Sequence, residues 1–256
     1  MRSLFIIGII LMTFINDFSQ QHDIFTKVLK KYVKNSLVDY KKLQKDNEFQ
    51  KYLDFLSKVE LNKLNHDEKL AFWINAYNAF TLKVIIDNYP VESIIDLHSG
   101  GKIIGYLLGK TVWDKKFIAV NRTKMSLGEI EHEILRKQFK EPRIHFAIVC
   151  ASISCPELRN EAYESEKIDA QLEEQTIKFL NDKTRNHFDL KKREAHLSKI
   201  FDWYKEDFGK SDENILRFTV KYLPNNIGED IIKNIFEWDI SYKSYNWNLN
   251  KKGELQ

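Results

Sequence analysis

Apolar positions recur at helical spacing along most of the chain, and strict alternation is rare. Residues 22–64 carry broken amphipathic patterns: Ile24, Phe25, Val28, Leu29 and Tyr32, then Tyr52, Leu53, Leu56 and Leu61. They read as a helical lead-in packed on a core. Residues 67–88, DEKLAFWINAYNAFTLKVIIDN, are apolar on nearly every helical face, with Asp67 placed to cap the start and Pro90 to stop the run. A helix greasy all round is a buried one. Its interior amides, Asn75 and Asn78, share a face. Buried amides need partners, so they either tie the helix to neighbouring backbone or face a polar site.

Residues 126–139, SLGEIEHEILRKQF, open with the capping box Ser126 and Glu129 and bury a stripe of Leu127, Ile130, Ile134 and Leu135. On that helix Glu131 falls at the edge of the buried arc and His132 well off it. Residues 143–150 form a short apolar run between Pro142 and a Ser-rich turn, which reads as a buried strand. In a regular strand Ile144, Phe146, Ile148 and Cys150 share one face, and His145 points away from Cys150 as a poor base for it. A bulge near Cys150 would undo that assignment. Val112–Trp113 with 117–120 reads as a two-stranded ribbon, 165–182 as an amphipathic helix, and Lys191 to Arg193 as a hairpin turn. The tail holds a helix near 213–222 and an extended stretch over 240–247.

The pattern of the first twenty residues adds a location. Arg2 precedes an apolar run from Leu4 to Ile15, followed by a mostly polar exit, as in a secretory signal peptide. The run is shorter than the roughly 18 to 20 residues a spanning helix needs. The expectation is cleavage near Ser19 and an exported protein, periplasmic or extracellular, with no membrane span after signal removal. The remaining chain divides into the lead-in (20–65), a core (66–210) and a C-terminal extension packed on it (211–256). The expected fold is α+β: one helix-rich domain with a small mixed or antiparallel sheet.

Composition narrows the partners. Aromatics make up 13% of the chain, with only 9 Gly and 4 Pro, which excludes disorder. The net charge of +3 leaves no electrostatic footprint for nucleic acid. No cofactor motif appears, and no CxxC or HxxxH spacing supports a metal. Two cysteines, Cys150 and Cys155, lie five positions apart, so they read as a local disulfide, inert thiols, a redox pair or one reactive thiol. Arg143, Arg159 and Lys83 are available to meet a substrate carboxylate, and equally serve as surface charge.

Four blocks, FWINAYNAFTLK, SLGEIEHEILR, IHFAIVCASISCPELRNEAY and LSKIFDWYKEDFG, occur in this order over roughly Asp67 to Phe208. Together they resemble the domain of unknown function family 547. That resemblance implies a circularly permuted papain-like fold and a cysteine hydrolase of small peptides such as glutathione or γ-glutamyl compounds. Carried over by position, it implies Cys150 as nucleophile and His132 as its partner. It also favours Cys150 over Cys155, since plant relatives commonly have a different residue at the latter position.

A thiol hydrolase needs a thiolate, a base, a group to orient the base and donors for the oxyanion. The candidates are Cys150 with His132, Glu131 as an orienter adjoining it, and Asn75 or Asn78 to orient the base or bind the oxyanion. Ser152 and Ala151 would offer further donors in the turn after Cys150. Three readings stay open: a hydrolase acting on a small-molecule or peptide substrate, a non-catalytic binding or scaffold domain, and a thiol-redox protein using Cys150 and Cys155.

Overall fold

A computed structural model describes residues 22–101, 109–121 and 123–253. The apolar N-terminal run lies outside the described residues. Helix α1 covers residues 22–32. It leads into a tight ribbon, β1 (Val33–Lys34) with β2 (Leu37–Val38), and then α2 (Tyr40–Leu43) and α3 (Asn47–Lys58). The central element is α4 (His66–Asp87). Its cap is Asn65, in a reciprocal box with Glu68, rather than the expected Asp67. Ile74, Ala76, Ala79 and Ile85 are fully shielded, as an all-apolar helix requires. Among the described residues, no helix is long and apolar enough to cross a membrane.

The ribbon expected at Val112–Trp113 is displaced. Val112–Asp114 is a 3₁₀ turn boxed by Thr111 and Asp114. The antiparallel pair is instead β3 (Ile118–Val120) with β4 (Thr123–Met125). Helix α5 (Glu129–Phe139) follows, with the Ser126–Glu129 box at its start and π-type winding. The stretch read as a strand over 143–150 is not one: α6 (Ile144–Ala147) is a single helical turn, and the chain extends only from Ile148. Every side chain from Ile144 to Val149 is buried, so the run carries neither a helical nor a strand period. Backbone groups there pair with a side chain rather than a neighbouring strand. Asn78 donates to the Ala147 carbonyl and accepts from the Val149 N–H, both at 2.9 Å.

Helix α7 (Ile168–Asn181) precedes a three-stranded mixed sheet, in which β5 (His187–Asp189) pairs antiparallel and β7 (Asp239–Tyr242) parallel with the central β6 (Glu194–Leu197). Helices α8 (Ile200–Trp203), α9 (Asp212–Val220) and α10 (Asn225–Lys233) lie between β6 and β7 in sequence. The fold is thus α+β, helix-rich with small sheets. Two apolar clusters form its core: one around α4, the other of Phe179, Leu197, Phe201 and Phe208 among others. Turn α6 belongs to both. Ile144 and Ala147 join the first, while Phe146 enters the second and stacks on Phe179 at 4.7 Å. Fully burying that phenyl contributes about 2 to 3 kcal/mol. The chain leaving this seam is Cys150.

The C-terminal stretch crosses the same seam. Isolated bridges join Ser93 to Asn248, Ser152 to Leu249 and Val38 to Lys251. The extension therefore packs on the core as a strap laid over the Cys150–Cys155 loop.

Candidate functional site

Asn75 and Asn78 are consumed in holding backbone. Asn75 donates to the Tyr163 carbonyl and accepts from the Tyr163 N–H, both at 2.8 Å. Asn78 clamps the segment that delivers Cys150. Neither residue lines the cavity described below, so the orienting or oxyanion role expected of them has no contact there.

Past Val149 the chain turns sharply. Ala151 takes a left-handed conformation (φ 58°), which costs an L-residue about 1 kcal/mol or more. The strap holds it there: Asn250 N–H donates to the Ala151 carbonyl at 3.1 Å, and Ile153 N–H to the Asn248 carbonyl at 2.9 Å. The turn brings the Cys150 N–H to the Cys155 sulfur at 2.7 Å, and both cysteines are unbridged thiols.

The Cys150 sulfur lies 3.2 Å from the Ser152 hydroxyl and 3.1 Å from the Tyr245 hydroxyl. Burial opposes ionisation of Cys150. The hydrogen bonds from Cys155, from the hydroxyl and N–H of Ser152 and from Tyr245 outweigh it and draw the thiol below its ordinary range. Cys155 moves the other way, pushed well above the ordinary range by burial and by its neighbour Cys150. Burial and the adjacent sulfur also raise the Tyr245 phenol, so it stays protonated and donates.

Cys150 lines a cavity of about 660 Å³. Trp113, Trp203, Tyr204, Tyr245 and Trp247 form much of its wall, and His98, His132 and His145 also reach it. His98 is engaged in structure, its Nδ1 accepting from the Val112 N–H at 3.3 Å. His132 and Cys150 thus share a cavity, but no histidine ring is among the hydrogen-bond partners of the sulfur. His132 is exposed, and its Nδ1 lies 3.0 Å from the Arg136 guanidinium. A guanidinium only donates, so Nδ1 accepts and the ring proton sits on Nε2. The hydrogen bonds of Glu131 run to tyrosines. It is buried and accepts from the Tyr77 hydroxyl at 2.9 Å, with the Tyr204 phenol as a second neighbour.

The residue that the strand reading set aside is better furnished. His145 Nε2 lies 2.7 Å from Asp207 Oδ2, and its ring stacks on Tyr204 at 4.0 Å. Arg136 binds the same carboxylate through Nε (2.5 Å) and a terminal nitrogen (2.9 Å). Burial works against the Asp207 charge, yet His145 and Arg136 hold it well below the usual carboxylate range. The His145 imidazole is therefore oriented by an ionised carboxylate, leaving Nδ1 as the nitrogen Asp207 does not use.

Sequence reasoning passed over His145, Asp207, Tyr204, Tyr245 and Trp247. The last two sit on the strap, where no local pattern announces a partner 95 positions away. Asp207 and Tyr204 lie in the block 197–209, whose order with the other three blocks was the available signal. Among the described residues, no cluster of His, Cys, Asp and Glu is arranged to hold a metal ion. Arg143, Arg159 and Lys83 are absent from the cavity wall and form ion pairs with acidic neighbours.

Residues 61–180 match the model of a family described as "Protein of unknown function, DUF547". No curated protein and no solved structure matches the chain. The matched segment supplies Tyr77, Asn78, Glu131, His132, His145 and both cysteines, while Tyr204, Asp207, Tyr245 and Trp247 come from the sequence beyond it. Over residues 61–180, then, the chain is similar to the DUF547 family, whose function is unknown.

Proposed function

We propose that the protein is an exported thiol-dependent hydrolase of small amides, with Cys150 as nucleophile and His145, oriented by Asp207, as its acid–base partner. The observation that carries the reading is a thiol drawn below its ordinary range by hydrogen bonds from three residues while lining a cavity of about 660 Å³. The Cys150 thiol gives its proton to His145 Nδ1, and the thiolate adds to the substrate carbonyl carbon, forming a C–S bond as the carbonyl π pair moves onto oxygen. The hydroxyls of Ser152 and Tyr245, already beside the sulfur, stabilise the neighbouring oxyanion. Collapse breaks the C–N bond, and His145 gives a proton to the leaving amine. Water then adds to the thioester with His145 taking its proton, releasing the acid and the thiolate. His145 replaces His132 in this role because Arg136 occupies the His132 Nδ1. The DUF547 resemblance, which implies a permuted papain-like hydrolase, supports the chemistry, and the signal-like N-terminus supports the exported location.

Acid-quenched mass spectrometry with an N-acyl amide is the test. A single acyl adduct mapping to Cys150 is expected, together with a rate loss of about a hundredfold or more for His145→Ala and only a few-fold for His132→Ala. Loss confined to His132→Ala would reverse the assignment, and turnover without a Cys150 adduct would end the thiol mechanism.

A second reading rests on the contact between Cys150 N–H and the Cys155 sulfur, 2.7 Å. That contact puts two unbridged thiols in one turn, and disulfide exchange with an external disulfide would oxidise both and release two thiols. It predicts a mixed disulfide with the external partner at Cys150, resolved by Cys155.

A further inference from the structure

The wall of the Cys150 cavity carries a row of aromatic rings, of which the steps above use only the Tyr245 hydroxyl. Trp247 is its hub. Its ring lies 5.9 Å from Trp113, 5.6 Å from Trp203 at an interplanar angle of 26°, and 4.6 Å from Tyr245. Trp203 is 44% exposed, although exposed indole faces are costly to hydrate. The row reaches the reacting atom, because Tyr245 also places its hydroxyl 3.1 Å from the Cys150 sulfur. A ring stacked on this row would therefore belong to the part of the substrate adjoining the carbonyl.

The charges around the cavity point the same way. Among the described residues, no Lys or Arg lines it. Its two acids are already committed: Glu131 to Tyr77, and Asp114 to the N–H and hydroxyl of Thr111. Burial lowers the basicity of His98 and favours its neutral form, and His145 faces Asp207. A γ-glutamyl group or a glutathione carboxylate entering here would lose hydration and meet no Lys or Arg among the described wall residues, since Arg136, behind His132 and Tyr204, is already bound to Asp207. An uncharged ring meets indole and phenol faces and loses little.

We infer that the Cys150 cavity selects a substrate whose acyl side bears an uncharged aromatic ring, in preference to charged γ-glutamyl compounds. The inference deepens the hydrolase reading and takes the word substrate from it, but binding and turnover can be measured apart.

The experiment uses the full chain with Cys150→Ser, which cannot form a thioester. N-phenylacetylglycinamide and γ-glutamylglycine are titrated in turn, followed by tryptophan fluorescence. The aromatic amide is expected to bind at least about tenfold more tightly, and Trp203→Ala to weaken it about tenfold while Trp203→Phe restores it. The exposure of Trp203 makes both variants compatible with folding, which circular dichroism verifies. Equal or tighter binding of γ-glutamylglycine, or no saturable signal with the aromatic amide, overturns the inference. If the aromatic amide binds as expected and the wild-type protein leaves it intact, the hydrolase reading fails and the ligand class stands.

Discussion

Cys150→Ala is expected to lower hydrolysis by roughly a thousandfold or more while the protein remains folded. The sulfur is only partly buried, and its removal leaves the Ser152 and Tyr245 hydroxyls hydrogen-bonded to one another at 3.3 Å. No buried polar group is orphaned, so the loss reads on chemistry. Cys155→Ala is the control. It leaves Cys150 in place and removes one of the groups that favour its thiolate, a loss of roughly fivefold on the scale of one hydrogen bond. The pH–rate profile separates the contributors further. Because Asp207 is held well below the carboxylate range, it stays ionised across the acid limb. The limb therefore reports the Cys150 thiol, drawn below its ordinary range, and activity falls with acid only at pH values below that range. Steady-state rates for both variants check this, and a Cys155→Ala loss as large as that of Cys150→Ala would contradict the assignment.

Asn78→Ala is expected to cost about 3 to 5 kcal/mol of stability. The substitution strands the Ala147 carbonyl and the Val149 N–H in a region where no strand or solvent replaces the lost amide. Each stranded group costs about 1 to 3 kcal/mol, and the vacated volume adds to it. Asn78→Asp separates the two bonds, since a carboxylate accepts from Val149 but cannot donate to Ala147. It should fall between the wild type and alanine variants. Urea unfolding midpoints at constant slope decide the matter. A change under about 1 kcal/mol would mean that the backbone finds other partners.

That clamp also explains where the sequence could be read and where it misled. The helical period and box of α5 placed Glu131 toward the core and His132 toward solvent, and both lie there. The apolar face-to-face uniformity of α4 signalled burial, and the two amides within it had to find polar partners. Residues 143–150 misled because burial on every side erases periodicity. A turn of helix and a strand then look alike, and the deciding hydrogen bonds come from Asn78, about seventy positions earlier. The dismissal of His145 followed from that misreading, since it depended on strand alternation. Asp207 and Tyr245 act only through tertiary contacts, so their side chains gain meaning once the strap and the 3₁₀ turn at Lys205–Phe208 are in place.

The hydrophobic seam, the strap and the left-handed Ala151 converge on one property: a sulfur surrounded by donors. The rate of Cys150 alkylation by iodoacetamide as a function of pH, in the wild-type chain and in Tyr245→Phe, measures that property most directly. An inflection below the ordinary thiol value of about 8.5, moved upward when the phenol is removed, is the predicted result. An inflection at or above the ordinary value in the wild type, unmoved in Tyr245→Phe, would contradict the account.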